Sequence, residues 1–137
     1  MCHKTGTGHT DFSSPEAVTV KPSDGIRWQK PVVLLTNRSS YSATNDFVNA
    51  MRQFPLVTVM GDRTGGGSGM PFSSELPNGW AVRFSACPVY GPDMEQLEFG
   101  IEPDIQVDMT EADMARGLDT IIEEARKYLA LNRTGLF

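Results

Sequence analysis

Ser42 stands between a continuous apolar run, Pro31 to Leu35 (PVVLL), and a stretch of helical spacing that begins at Ala43. A hydroxyl at the start of a helix meets unpaired backbone N–H groups and the positive end of the helix dipole, which favour an attacking alkoxide and a developing oxyanion. That placement suits acyl transfer by a serine nucleophile. Serine is also among the preferred helix N-caps, and Ser42 or Thr44 could serve in that plain role. Downstream, Gly61 to Gly69 (GDRTGGGSG) is too rich in glycine for regular structure and must be a loop. Gly65, Gly66 and Gly67 would let the backbone approach a neighbouring chain segment or an extended substrate closely. A phosphate cradle is excluded, because no lysine lies between Lys30 and Lys127 and the loop leads toward a hairpin rather than a helix. His3 and His9 have the spacing of neither a helical metal pair nor a catalytic triad, and Cys2 and Cys87 read as free thiols. No metal or cofactor is expected.

The elements that must position these residues follow from periodicity. Val32 to Leu35 has the pattern of a strand covered on both faces in a parallel sheet, and it is expected to be central. Ala43 to Phe54 places Phe47, Val48, Met51 and Phe54 on one helix face, with packing expected through Phe47, Met51 and Phe54, and Pro55 ends it. Leu56 to Met60 reads as a second buried strand, completing a strand-helix-strand unit. Alternation in Phe72, Ser74 and Leu76, the Asn78-Gly79 pair, and alternation in Trp80, Val82 and Phe84 predict a hairpin with a type I′ turn. A turn at Gly100 and a strand near Ile105 follow. Thr110 to Asp113 resembles a capping box, and Met114, Leu118, Ile121, Ile122, Ala125 and Leu129 predict one C-terminal helix of about five turns. Residues 1–30, with Val18 to Val20 the only plausible strand, read as irregular lead-in.

Composition narrows the function classes. The 137 residues, 39% hydrophobic and 21% charged, suit one globular unit. A net charge of −5, with 12 scattered Lys and Arg, gives no footprint for a nucleic-acid backbone. The apolar stretches are far shorter than the ~18 residues of a membrane span. The opening MCHKTGTGHTDFSSP has neither the basic start nor the apolar core of a signal peptide.

The order of segments, PVVLLTN, SYSATNDFVNAM, VTVMGDRTGGGSG, an Asn-Gly hairpin, EFGIEPDIQV and a closing helix, resembles the tail-specific (C-terminal-processing) serine peptidases over residues 31–130. The likeness is to their tricorn-like and retinoid-binding-protein-like branch, and to the C-terminal half of the catalytic domain. It implies an α/β fold of the crotonase/ClpP-like layered ββα kind, present as a partial domain: residues 1–137 form one unit, with 1–30 as lead-in and 31–130 as the family-like core. It implies Ser42 as nucleophile, the Ala43 backbone N–H as an oxyanion donor, a polypeptide substrate, and a place outside the cytoplasm, in the periplasm or cell envelope. A truncated core would expose apolar surface, so a homo-oligomer that covers it is expected.

Two departures from the family pattern bear on mechanism. Ser–Lys members carry a lysine inside a G-E-x-T-x-G-K-G loop, and Gly67 stands in its place. They also tend to carry Glu three residues after the nucleophile, where this chain has Asn45. The tricorn-like branch uses a histidine from an earlier part of the chain and a glutamate near its G-I-x-P-D motif, which falls on Glu98 as orienting acid. The readings are therefore a serine peptidase domain without the Ser–Lys dyad, a catalytically inactive peptide-binding or scaffold module, and, less favoured, another hydrolase or acyl-transfer enzyme on the related layered fold.

Overall fold

A computed structural model describes residues 2–132. Strand β1 (Val32–Thr36) leads through helix α1 (Ala43–Met51) to strand β2 (Val57–Gly61), and the two strands pair in parallel from Val32↔Val57 to Thr36↔Gly61. The short strand β5 (Ile105–Gln106) pairs in parallel with the other edge of β2, Met60 opposite Ile105. The sheet order is therefore β1-β2-β5, and β2, not β1, is the central strand. The apolar run also does not bring full cover on both faces, since Leu35 is 40% exposed, and such a run carries no information about how many strands pair beside it.

Side-chain alternation along β2 sorts the layers. Val59 packs with Val48 of α1, Leu97 and Ile101 in the buried core, with Leu34 and Val89 against it. Its neighbour Thr58 points the other way, where its hydroxyl meets the Tyr128 hydroxyl of helix α3 (Thr120–Leu131) at 3.0 Å. Since successive strand residues face opposite sides, α1 and α3 cover opposite faces of the sheet. The carboxylate of Asp104 accepts from the Val59 N–H at 2.8 Å while its own N–H donates to the Val59 carbonyl at 2.9 Å, extending the ladder ahead of β5.

Three expectations need correction. The α1 face that packs is Asn45 and Val48, whereas Phe47 and Phe54 are 52% and 50% exposed. Three apolar residues at helical spacing can equally mark a surface stripe, and the strand decides which side is inside. The hairpin of β3 (Pro71–Glu75) and β4 (Ala81–Ser85) forms as expected, but its loop has three residues. Gly79 donates to the Leu76 carbonyl at 2.8 Å and alone takes a positive φ of 84°, the pattern of a type I turn closed by a glycine bulge rather than type I′. The C-terminal helix is two: α2 (Glu111–Ala115) ends at Gly117, φ 70°, and α3 restarts with the Asp119 carboxylate accepting from Ile122 N–H at 3.0 Å. Glycine in the left-handed region terminates a helix that side-chain spacing alone would continue.

The lead-in is irregular, and Val18 to Val20 form no strand. The hairpin presents Phe72, Leu76, Trp80 and Phe84 on one exposed face, the two phenylalanine rings 5.6 Å apart. Among the described residues no helix is long and apolar enough to cross a membrane.

Candidate active site

Ser42 is held by two loops that knit the ends of β1 and β2. After β1 the chain turns through Asn37 to Ser40, with Ser40 N–H on the Asn37 carbonyl at 2.8 Å and Ser39 N–H on the Asn37 side-chain oxygen at 2.8 Å. Arg38 reaches Asp62, at the end of β2, at 2.8 Å. That hydrogen bond holds the Asp62 carboxyl below the usual carboxylate range and raises Arg38. Gly65 N–H then donates to the Ser40 carbonyl at 3.0 Å and Ser42 N–H to the Gly66 carbonyl at 2.7 Å, so Tyr41 and Gly66 pair as a parallel bridge beyond the sheet.

Ser42 itself has φ 58° and ψ −123°. With Thr44 N–H on the Tyr41 carbonyl at 3.2 Å, this is the first central position of a type II′ turn, where glycine is preferred. A residue with a Cβ there stores on the order of 1–3 kcal/mol of strain. Although Ser42 stands at the N-cap of α1, its hydroxyl makes no capping hydrogen bond. The plain N-cap role is therefore not what the side chain does. The half-buried Ser42 lines a cleft of about 370 Å³ with Ala43, Asp46, Gly67, Gly69, Met70 and Pro71. The Ala43 N–H finds no acceptor among the described residues and is free at the helix start.

The glycine loop divides by role. Gly66 and Gly67 take φ 75° and 76°, and the loop lies beside Ser42 as its glycines suggested. Gly67 lines the cleft. Gly65 and Gly66 are instead pressed on the chain's own backbone, where a Cβ would meet the carbonyls of Arg38 and Glu98. Glu98 lies on a single 3-10 turn, Leu97–Phe99. Its carbonyl accepts from Gly67 N–H at 3.0 Å, and its carboxylate accepts from Ser85 Oγ at 3.1 Å, beside Gly69. It thus flanks the loop rather than lining the cleft with Ser42. Neither histidine lines it: His3 sits in the exposed lead-in, 3.5 Å from Glu16, and His9 is exposed. Among the described residues no group of three or more His, Cys, Asp and Glu could hold a metal ion.

The sequence reading missed the part played by Asn45. Fully buried, it donates to Ser68 Oγ at 2.7 Å and to the Leu97 carbonyl at 2.9 Å, and accepts from Thr64 Oγ1 at 2.5 Å. Thr64 Oγ1 in turn accepts from Ile101 N–H at 2.6 Å. One amide thus joins α1, the glycine loop and the segment carrying Glu98. The available signal was its spacing: Asn45 precedes Val48 by three residues, on the same helix face.

The profile of the family named Peptidase family S41 matches residues 4–107. A candidate peptidase of Parabacteroides merdae, known from its crystal structure, is 62% identical, with a TM-score of 0.89 over 93% of this chain and 41% of that one. Mature CPAF in complex with lactacystin is 20% identical, with a TM-score of 0.67 over 80% of this chain and 22% of the other, a likeness of fold. An uncharacterized protein of Chlamydia muridarum is 25% identical over 118 residues, 81% of this chain and 19% of that protein. The chain thus spans less than half the length of each.

Proposed function

The chain belongs to peptidase family S41, and from that premise we propose that it forms part of a serine-type peptidase domain that hydrolyses peptide bonds of polypeptides with Ser42 as nucleophile. The observation that carries this is the strained turn at Ser42, whose hydroxyl is left uncapped in an open cleft at a helix start. Strain at a residue that glycine would relieve is maintained where the side chain is needed. The free Ala43 N–H and the α1 dipole would stabilise the tetrahedral oxyanion. Glu98 is proposed as the acid that orients a general base, and the base itself comes from residues outside this chain, since no lysine or histidine lines the cleft.

The layering of α1, sheet and α3 is consistent with a crotonase/ClpP-like ββα architecture, of which residues 31–130 supply the core and 1–30 the lead-in. Association of copies would cover the apolar face of the hairpin, and fractionation is expected to place the protein outside the cytoplasm. A second reading, an inactive peptide-binding module, is favoured by Gly67, which stands where the family resemblance would set the dyad lysine. A fluorophosphonate probe separates the two. Labelling of this chain, or of any longer form of the protein, that is lost in Ser42→Ala supports the peptidase. Labelling of neither form supports the binding module.

A further inference from the structure

Asp46 lies one helical turn beyond Ser42, on the same side of α1, and both line the cleft. Its carboxylate is exposed and has no hydrogen-bond or ion-pair partner among the described residues. Three of the nearby arginines are engaged with other acids, Arg38 with Asp62, Arg52 with Glu95 and Arg63 with Glu102, whereas Arg83 of β4 has no ion pair among the described residues. Of the residues that line the cleft, Asp46 is the one that carries charge. The rest of its lining includes an apolar part, the Ala43 methyl, Met70 and Pro71.

Met70 is held there against its own preferences. It has φ 46° although it precedes a proline, a combination that sterics disfavour twice, and its side chain is 54% exposed. The adjacent Gly69 carbonyl accepts from both Ala86 and Cys87 N–H, at 2.9 and 3.1 Å, which fixes the segment to the end of β4. A large apolar residue kept at the surface by a strained backbone is a wall maintained for contact.

We propose that the Ser42 cleft is a subsite for a substrate side chain with an aliphatic stem and a cationic end, lysine or arginine. The stem lies along Met70 and Pro71, as such side chains do on apolar surface, and the charge meets Asp46. The proposal rests on the reading of this cleft as a polypeptide site and adds the class of residue it selects. Asp46 also lies in the first turn of α1, where a negative charge favours the helix dipole. That role needs no ligand and cannot produce selectivity.

The test uses the 137-residue chain carrying Ser42→Ala, which removes turnover. Blocked pentapeptides identical except for a central Lys, Arg, norleucine or Glu are titrated, and backbone amide shifts of Ala43, Asp46, Gly67 and Met70 report binding. The Lys and Arg peptides are expected to bind about two- to fivefold more tightly than norleucine, the range of an exposed ion pair, with Glu weakest. The preference should shrink with added salt and disappear in Asp46→Asn. Met70→Ala should weaken Lys, Arg and norleucine peptides alike. Equal affinities, a preference that persists in Asp46→Asn, or absence of binding by every peptide would overturn the proposal. Because the measurement bypasses catalysis, charge-selective binding with no serine labelling would sink only the peptidase reading, and labelling without selectivity only the subsite.

Discussion

The ring of Tyr41 fills the space that any side chain on residue 67 would need, so Gly67 is required by its neighbour as well as by its φ of 76°. At the position where the family resemblance would set a lysine, the space is thus taken by the aromatic ring of the residue before Ser42. Gly67→Lys is expected to lower stability by about 1–2 kcal/mol from the backbone alone, plus the cost of displacing Tyr41, without creating a reactive serine. Thermal unfolding together with fluorophosphonate labelling checks both halves. A labelled Gly67→Lys protein would show that Tyr41 yields easily.

Ser42→Gly should stabilise the chain by up to about 1 kcal/mol, since glycine relieves the turn and loses only part of that gain to the entropy of its unfolded state. Ser42→Ala keeps the Cβ and should not. Both would abolish labelling. Urea unfolding of the two variants side by side separates strain from chemistry.

Phe47→Ala should change stability by no more than about 0.5 kcal/mol, as expected of an exposed position. Val48→Ala, at 1% exposure, should cost about 2 kcal/mol. Reversal of this order in denaturant melts would contradict the observed α1 face. The helix was legible in the sequence because Ser42 precedes it and its apolar spacing is regular, although it ends at Met51 rather than at Phe54 before Pro55. Its inward face was not, because the largest apolar residues are outside and a polar amide is inside. The strand-helix-strand unit and the hairpin could be read from local patterns. The order of the sheet, the break at Gly117 and the Asn45 linkage depend on contacts between distant segments, which periodicity does not encode. At the site, the position of Ser42 was legible and its uncapped hydroxyl was not, since capping depends on φ and ψ at a single residue.

Asn45→Asp should be among the most damaging single changes at the site, costing on the order of 2–4 kcal/mol. It removes the donors to Ser68 and the Leu97 carbonyl and sets a buried carboxylate against that carbonyl oxygen. Serine or threonine substitutions at exposed positions of α1 provide the control. Chemical denaturation is the measurement, and a loss below about 1 kcal/mol would show that the network rearranges.

Asp113 accepts from Thr120 Oγ1 at 2.9 Å, and this bond, with a second from Thr110, holds its carboxyl below the usual range. A depressed carboxyl contributes stability above its unfolded pKa of about 4 and loses it as pH falls through the lower folded value. Thr120→Val removes the main cause. Its destabilisation should therefore be largest above about pH 5 and narrow toward pH 3, which melting curves across that range would show. A gap that stays constant with pH would assign the loss to packing alone.

The bridge between Tyr41 and Gly66 has a consequence for how this site can be exchanged between proteins. The segments 37–42 and 61–67 meet through two backbone hydrogen bonds and the Arg38–Asp62 pair, and each glycine is fitted to a specific atom of another segment. They are two halves of a single structural unit, though about 20 residues of chain separate them. A chimera that imports one half from a lysine-bearing relative would bring a side chain at 67 onto the resident Tyr41, or a foreign residue 41 onto Gly65 and Gly67, which are fitted to a different ring. Only transfer of both halves together preserves the fit, so recombination across α1 should yield folded hybrids whose serine is misplaced.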